Sequence, residues 1–224
     1  MTVNNIGKEK LNGTSQSVLA TAPVDYSRQY QDLLNNQLRL YFTQIDNLTA
    51  SLLNVDGTRY LSAPYGSFAD TTDQPIAAAN TGTVMTFNTT DFANGVSIVT
   101  SGGYASRFTV DYAGVYNFQW SGQFQNTDSQ DHDATIWVKK NGTDVIGSSG
   151  LVSVPSKHGA IDGHCIAGWN FLFQLQANDY IELWWEADNT AVSIQAYPAV
   201  TTPPAAVRPS TSSLVATMTY VSRL

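Results

Sequence analysis

Charge is scarce in this chain. Lys, Arg, Asp and Glu make up only 13% of its 224 residues, against roughly 25% in ordinary soluble proteins. Its 18 acidic residues outnumber 11 basic ones, for a formal net charge of −7. No nucleic-acid partner is expected, because binding phosphates needs clustered Lys and Arg. Cysteine is nearly absent. With Cys165 alone, no internal disulfide can form, so stability must come from packing and assembly. No apolar run approaches the roughly 20 residues of a membrane-spanning helix, and no membrane partner is expected. The opening residues, MTVNNIGKEKLNGTSQ, lack the apolar core of a signal peptide, which predicts a chain not exported by that route.

Signatures of catalysis are missing too. The chain has no Gly-x-Ser-x-Gly elbow, phosphate loop or dinucleotide fingerprint. Asp131-His132-Asp133 offers oxygen and imidazole ligands, and His164-Cys165 with His158 supplies part of a zinc set. Zinc, however, takes four ligands with close spacing inside each pair, and no second cysteine exists. Both groups read as a solvated loop or a satisfied core. Glu182 and Glu186 lie an even number of residues apart, opposite Leu183 and Trp185, and read as solvent-facing. The expectation is a non-enzyme without catalytic residues, metal or cofactor. Sequons at Asn12, Asn47, Asn88 and Asn141 carry no weight without export.

What is present falls into three parts. Residues 1–24 mix Asn, Thr, Ser, Gly and Lys with isolated apolar residues; they read as an extended arm, either a plain tail or a peptide anchoring the chain to something else. Residues 25–57 read as a helix, capped by Asp25 and stopped by Gly57. Leu34, Leu38, Tyr41, Ile45, Leu48 and Leu52 recur at steps of 4, 3, 4, 3 and 4. That is a heptad seam, widened by Leu33, Leu40, Phe42 and Leu53. It suits either a bundle of several copies or an ordinary helix packed on its own domain, since a helix this short is marginal alone.

After a turn-rich connector at 56–66, short strand-like runs alternate with turn signals. Val84 and Phe87 lie within a run from Thr83 to Thr89, and Val96, Ile98 and Val99 within the next. Gly102-Gly103 and Asn141-Gly142 read as hairpin turns. Trp169, Phe171, Phe173 and Leu175 share one face of a later run, and Ile181, Leu183 and Trp185 one face of the following run. The Pro-rich segment 198–209 reads as a stiff surface loop, ahead of a last strand from Leu214 to Val221.

The most telling stretch is FTVDYAGVYNFQW at 108–120. Tyr116, Phe118 and Trp120 alternate with polar residues and therefore point together into a core, after a turn at Gly114. The spacing of Phe108, Gly114, Tyr116, Phe118 and Trp120 resembles the signature of the complement C1q and tumour necrosis factor (TNF) jelly rolls, whose last aromatic is more often Phe or Tyr. WVKKNGTDV and LQANDYIELWW are similar to two hairpins of that family. The resemblance implies a mainly β, antiparallel jelly-roll sandwich over residues 66–224, preceded by the helix and assembled as a threefold homotrimer around an aromatic-rich axis.

Trp184 and Trp185 are adjacent and must point to opposite faces of their strand. One is expected in the core. The other, with Tyr180, Tyr197 and Tyr220 as neighbours, belongs to a subunit interface or a surface that stacks on glycans. A polar arm, a helical stalk and a β-head also resemble bacteriophage tail fibres, head fibres and capsid decoration proteins. The functional expectation is a non-enzymatic virion protein, attached to other virion proteins through its N-terminal part. The alternative is a receptor- or glycan-binding module of a host-adsorption apparatus. Its contact surface would be the loop from Asn126 to Asp133 and the 198–209 insertion, with a host-surface glycan as partner.

Overall fold

The computed structural model describes residues 24–25, 27–53, 63–202 and 206–224, with backbone alone for 50–53. The chain divides into two compact units, Met1–Ser62 and Ala63–Leu224. The expected arm at 1–24 lies almost entirely outside the described residues, as do residues 54–57 at the expected helix end.

The first unit contains one helix, α1, Arg28–Leu53. Its N-cap is Ser27 rather than Asp25: Ser27 Oγ accepts from Tyr30 N–H at 3.3 Å, and Ser27 C=O from Gln31 N–H at 3.0 Å. A hydroxyl at the first turn satisfies an otherwise orphaned donor, which is why the helix starts there. Leu34, Leu38, Tyr41, Ile45 and Leu48 share a half-buried face, while Leu33, Leu40 and Phe42 are 50%, 65% and 57% exposed. The side chain of Leu52 lies outside the described residues.

The second unit is all β among its described residues. Its strands are β1 Tyr65–Asp70, β2 Gln74–Pro75, β3 Thr83–Val84, β4 Thr89–Asn94, β5 Val96–Ser101, β6 Tyr104–Val110, β7 Gly114–Asn126, β8 His132–Lys140, β9 Thr143–Asp144, β10 Gly150–Val154, β11 Gly163–Leu175, β12 Tyr180–Ala187, β13 Val192–Ile194 and β14 Leu214–Ser222. All pairings between them are antiparallel. One sheet runs β4-β1-β14-β7, with β11 along the other edge of β7 and β13-β2 continuing beyond β14. The other runs β5-β6-β12-β8-β10, with β3 beside β12 and β9 beside β8.

The two sheets share one apolar core and form a sandwich. Phe108 on β6 is fully buried and meets three rings edge-on: Phe87 at 4.8 Å, Phe118 of β7 at 5.0 Å and Phe68 of β1 at 5.4 Å. Such pairs add about 0.5–1.5 kcal/mol each beyond area burial. Along β7 every second residue from Gly114 to Asn126 is buried, because the strand's two-residue period sends Tyr116, Phe118, Trp120 and Phe124 inward. The Tyr116 hydroxyl donates to Tyr112 C=O at 2.8 Å, and burial pushes its pKa well up.

Several expectations need correction. Gly114 opens β7 rather than turning into it: a Cβ there would run into the Tyr220 ring, so the glycine serves a close approach. Of the run from 83 to 89 only Thr83–Val84 pairs as a strand before β4. Met85 and Phe87 are buried all the same. The 198–209 segment lies outside both sheets, as expected of a surface loop, and its described ends are tied by isolated bridges, Tyr197 to Thr211 and Val200 to Arg208. Gly102-Gly103 and Asn141-Gly142 each have positive φ at both central positions, the type I′ geometry that tight hairpins favour.

Candidate functional site

The strands of the β1-β14-β7-β11 block contain a single Asp, Glu, Lys or Arg, and that residue, Asp70, is buried. Their own outward residues are therefore uncharged, and the one carboxylate that reaches them is Asp91 of the neighbouring β4, which accepts from Ser67 Oγ at 3.0 Å. Register aligns it in rows. One row runs Asn94, Tyr65, Thr219, Asn117, Leu172; the next Phe92, Ser67, Thr217, Gln119, Asn170; the third Ala69, Val215, Ser121, Gly168. A shallow depression of about 550 Å³ is lined by Tyr65, Phe92, Gln119, Thr217 and Thr219 among others. Leu172, Phe92 and Val215 are 67%, 62% and 41% exposed. Asn117 Oδ1 is shielded from water without a donor. Beside this face, Leu151 of β10 is 66% exposed and Ile166 of β11 69%.

The outward face of the other sheet has the opposite character. Glu182 faces Lys139 across β12 and β8, and Trp184 faces Trp137. Arg107 Nε bonds Glu182 Oε1 at 3.2 Å, and Ser106 Oγ donates to the same oxygen at 3.1 Å. Glu182 is only 6% exposed, so the expectation of a solvated carboxylate is wrong. The Arg107 guanidinium lies 4.2 Å over the Tyr180 ring. Lys139 Nζ sits 4.0 Å over Trp184, and Trp137 Nε1 donates to Asp144 at 2.9 Å. This is a face finished with its own ion pairs and cation–π contacts.

Of the adjacent tryptophans, Trp185 is fully buried against Phe124 at 5.7 Å, and Trp184 faces outward, half-buried. Tyr197 does not join Trp184. Its hydroxyl meets His164 Nδ1 at 3.1 Å, and its pKa is raised by burial and by Asp162 and Asp73. The residues at 131–133 do not converge on a cation either. His132 lies between Asp128 at 2.9 Å and Asp188 at 3.0 Å, while the Asp131 carboxylate caps Ser156 N–H at 2.7 Å. His158 pairs with Ile161 through the backbone, away from the His164–Tyr197 contact. Among the described residues no group of three or more His, Cys, Asp or Glu could hold a metal.

The rows of the β1-β14-β7-β11 face went unread in the sequence. The signal was available: the polar residues alternating with the aromatic signature, Asn117, Gln119 and Ser121, are all amides and hydroxyls. No protein-family model and no curated protein matches the chain.

Proposed function

We propose that the β-unit is a C1q/TNF-like jelly roll and that the chain is a non-enzymatic, homotrimeric structural protein of a bacteriophage virion. In this reading the arm and helix attach to other virion proteins, and the β-head faces outward. One observation carries the assembly: a row-registered sheet face whose β1, β14, β7 and β11 rows present no charged side chain, with Asp91 alone at the β4 margin, on the same chain as a heptad-bearing helix. Charged residues solubilise a face left to water, and the opposite face has them. A face of amides, hydroxyls and exposed apolar residues fits burial against another protein surface.

Strand order supports the fold. When β1, β6, β7, β8, β10, β11, β12 and β14 are counted one to eight, the sheets read 1-8-3-6 and 2-7-4-5. A long antiparallel hairpin rolled upon itself gives that order, which is the jelly-roll arrangement. The exposed Leu151 and Ile166 lie at the β10–β11 edge. An apolar edge on one copy against this face on the next is a heterologous contact, which closes into a ring, here of three copies, when the rotation between copies is a whole fraction of a turn. Leu33, Leu40 and Phe42 add exposed apolar surface beside the helical seam, as bundling would use.

Light scattering on the full chain tests the assembly. The expected mass is three times 24.3 kDa, and Thr217→Lys, placing a charge in the middle row, should shift the chain toward monomer. A monomeric wild type would end the trimer reading. Mass spectrometry of particles of the encoding phage tests the virion role, and absence of the chain from them would refute it.

A further inference from the structure

Where β1 ends and β14 begins, three loops enclose an open cleft of about 460 Å³ that belongs to none of the charge-free rows. Thr71 and Asp73 come from the segment after β1, Tyr197 and Pro198 from the chain after β13, and Ser210 and Ser212 from the approach to β14. The volume lies in the usual small-molecule range of roughly 300–1,000 Å³. The cleft is built rather than incidental. Asp73 Oδ1 accepts from Ala196 N–H at 2.9 Å. The Gln195 amide, oriented to donate, reaches the two Asp73 oxygens at 3.0 and 3.1 Å while accepting from Ser193 Oγ at 2.9 Å. Above it, the 197–200 and 208–211 stretches are locked by paired backbone bonds of 2.8–3.0 Å.

The geometry points to a binding site for a neutral saccharide. Asp73 is the one formally charged residue among those lining the cleft, and Arg208 stands at its rim, its Nη1 donating to Pro198 C=O at 3.3 Å; the two charges offset each other, so neither an anion nor a cation is favoured. One carboxylate is too few for a calcium ion, which takes 6–8 oxygen ligands with several carboxylates among them. A sugar ring needs what is present: a fixed carboxylate oxygen, Asp73 Oδ2, with capacity left to accept from a hydroxyl, side-chain hydroxyls that both donate and accept, and Tyr197 and Pro198 in the lining for the C–H face of the ring. The site stands independently of the trimer proposal. A monomer that binds sugar would remove the assembly and leave the site.

The test is saturation-transfer NMR and calorimetry on the full chain with methyl glycosides of glucose, galactose, mannose and N-acetylglucosamine. At least one should bind with a Kd of about 1 mM. Ser210→Trp fills the cleft from an exposed position and should weaken binding at least tenfold with an unchanged melting temperature. Asp73→Asn, which keeps the shape and loses the charge, should weaken it several-fold. Failure of all four glycosides to bind at roughly 10 mM, or binding that survives Ser210→Trp, overturns the inference.

Discussion

Substituting methionine for Arg107 asks what the Glu182 carboxylate costs when left alone. The two side chains meet at 3.2 Å, but their side-chain exposures differ: 8% for Glu182 and 33% for Arg107. Breaking a fully buried pair costs about 3–5 kcal/mol, and an exposed pair is worth about 0–1. Arg107→Met strands the drier partner with only Ser106 as donor, so its cost should fall between these limits, at about 2–3 kcal/mol. Methionine keeps most of the aliphatic packing, although the guanidinium contact with Tyr180 is lost. Glu182→Met strands the wetter partner, whose long stem can carry the guanidinium to water, and should cost about 1 kcal/mol. The double variant has no stranded charge and should lie within about 1 kcal/mol of wild type, giving a coupling energy of about 2–4 kcal/mol. Urea unfolding at one fixed protein concentration measures all three, read as midpoint shifts at constant slope. If Glu182→Met proves the costlier substitution, the burial asymmetry does not govern this pair.

Three further outcomes are expected. Gly150 lies under Trp169, where an added Cβ would run into the indole; Gly150→Ala should displace that ring, destabilise by about 1–3 kcal/mol and red-shift tryptophan emission, and an unchanged spectrum would contradict this packing. Burial raises the Cys165 pKa, so at pH 8 less thiolate is present and a disulfide reagent should label the native chain more slowly than the urea-unfolded one; equal rates would refute it. Asp128 is held below the usual carboxylate range by its hydrogen bond from His132, and Asp131 by the Ser156 N–H. Their folded values are depressed, so their contribution is present above about pH 4 and disappears as pH falls through those values. The melting temperature should decline below pH 4, less steeply in Asp131→Asn, and parallel curves for the two proteins would assign the acid sensitivity to other groups.

The amino-acid pattern alone determined much of the scaffold. Side chains of a strand alternate faces whatever the fold around them, so Tyr116, Phe118 and Trp120 were readable as inward, and Trp184 and Trp185 as divided between two faces. Positive-φ turns need Gly or Asn, so Gly102-Gly103 and Asn141-Gly142 could be placed before any strand was paired. A 3.5-residue apolar period marked the helix, though its cap was misplaced by two residues because Asp25 and Ser27 are equally good caps in isolation.

Only the tertiary structure decided which strands lie side by side, and the site statements depend on that. Asn117, Thr219 and Tyr65 are distant in sequence and become one row through register. Glu182 looked solvated because its strand neighbour Leu183 points inward; Arg107, 75 residues away, covers it. Gly114 looked like a turn until Tyr220 of the last strand lay against it. The cleft gathers residues 71–73, 196–198 and 210–212, three segments with no mutual signal in the chain. Local periodicity sets where a side chain points, and long-range pairing sets what it meets there.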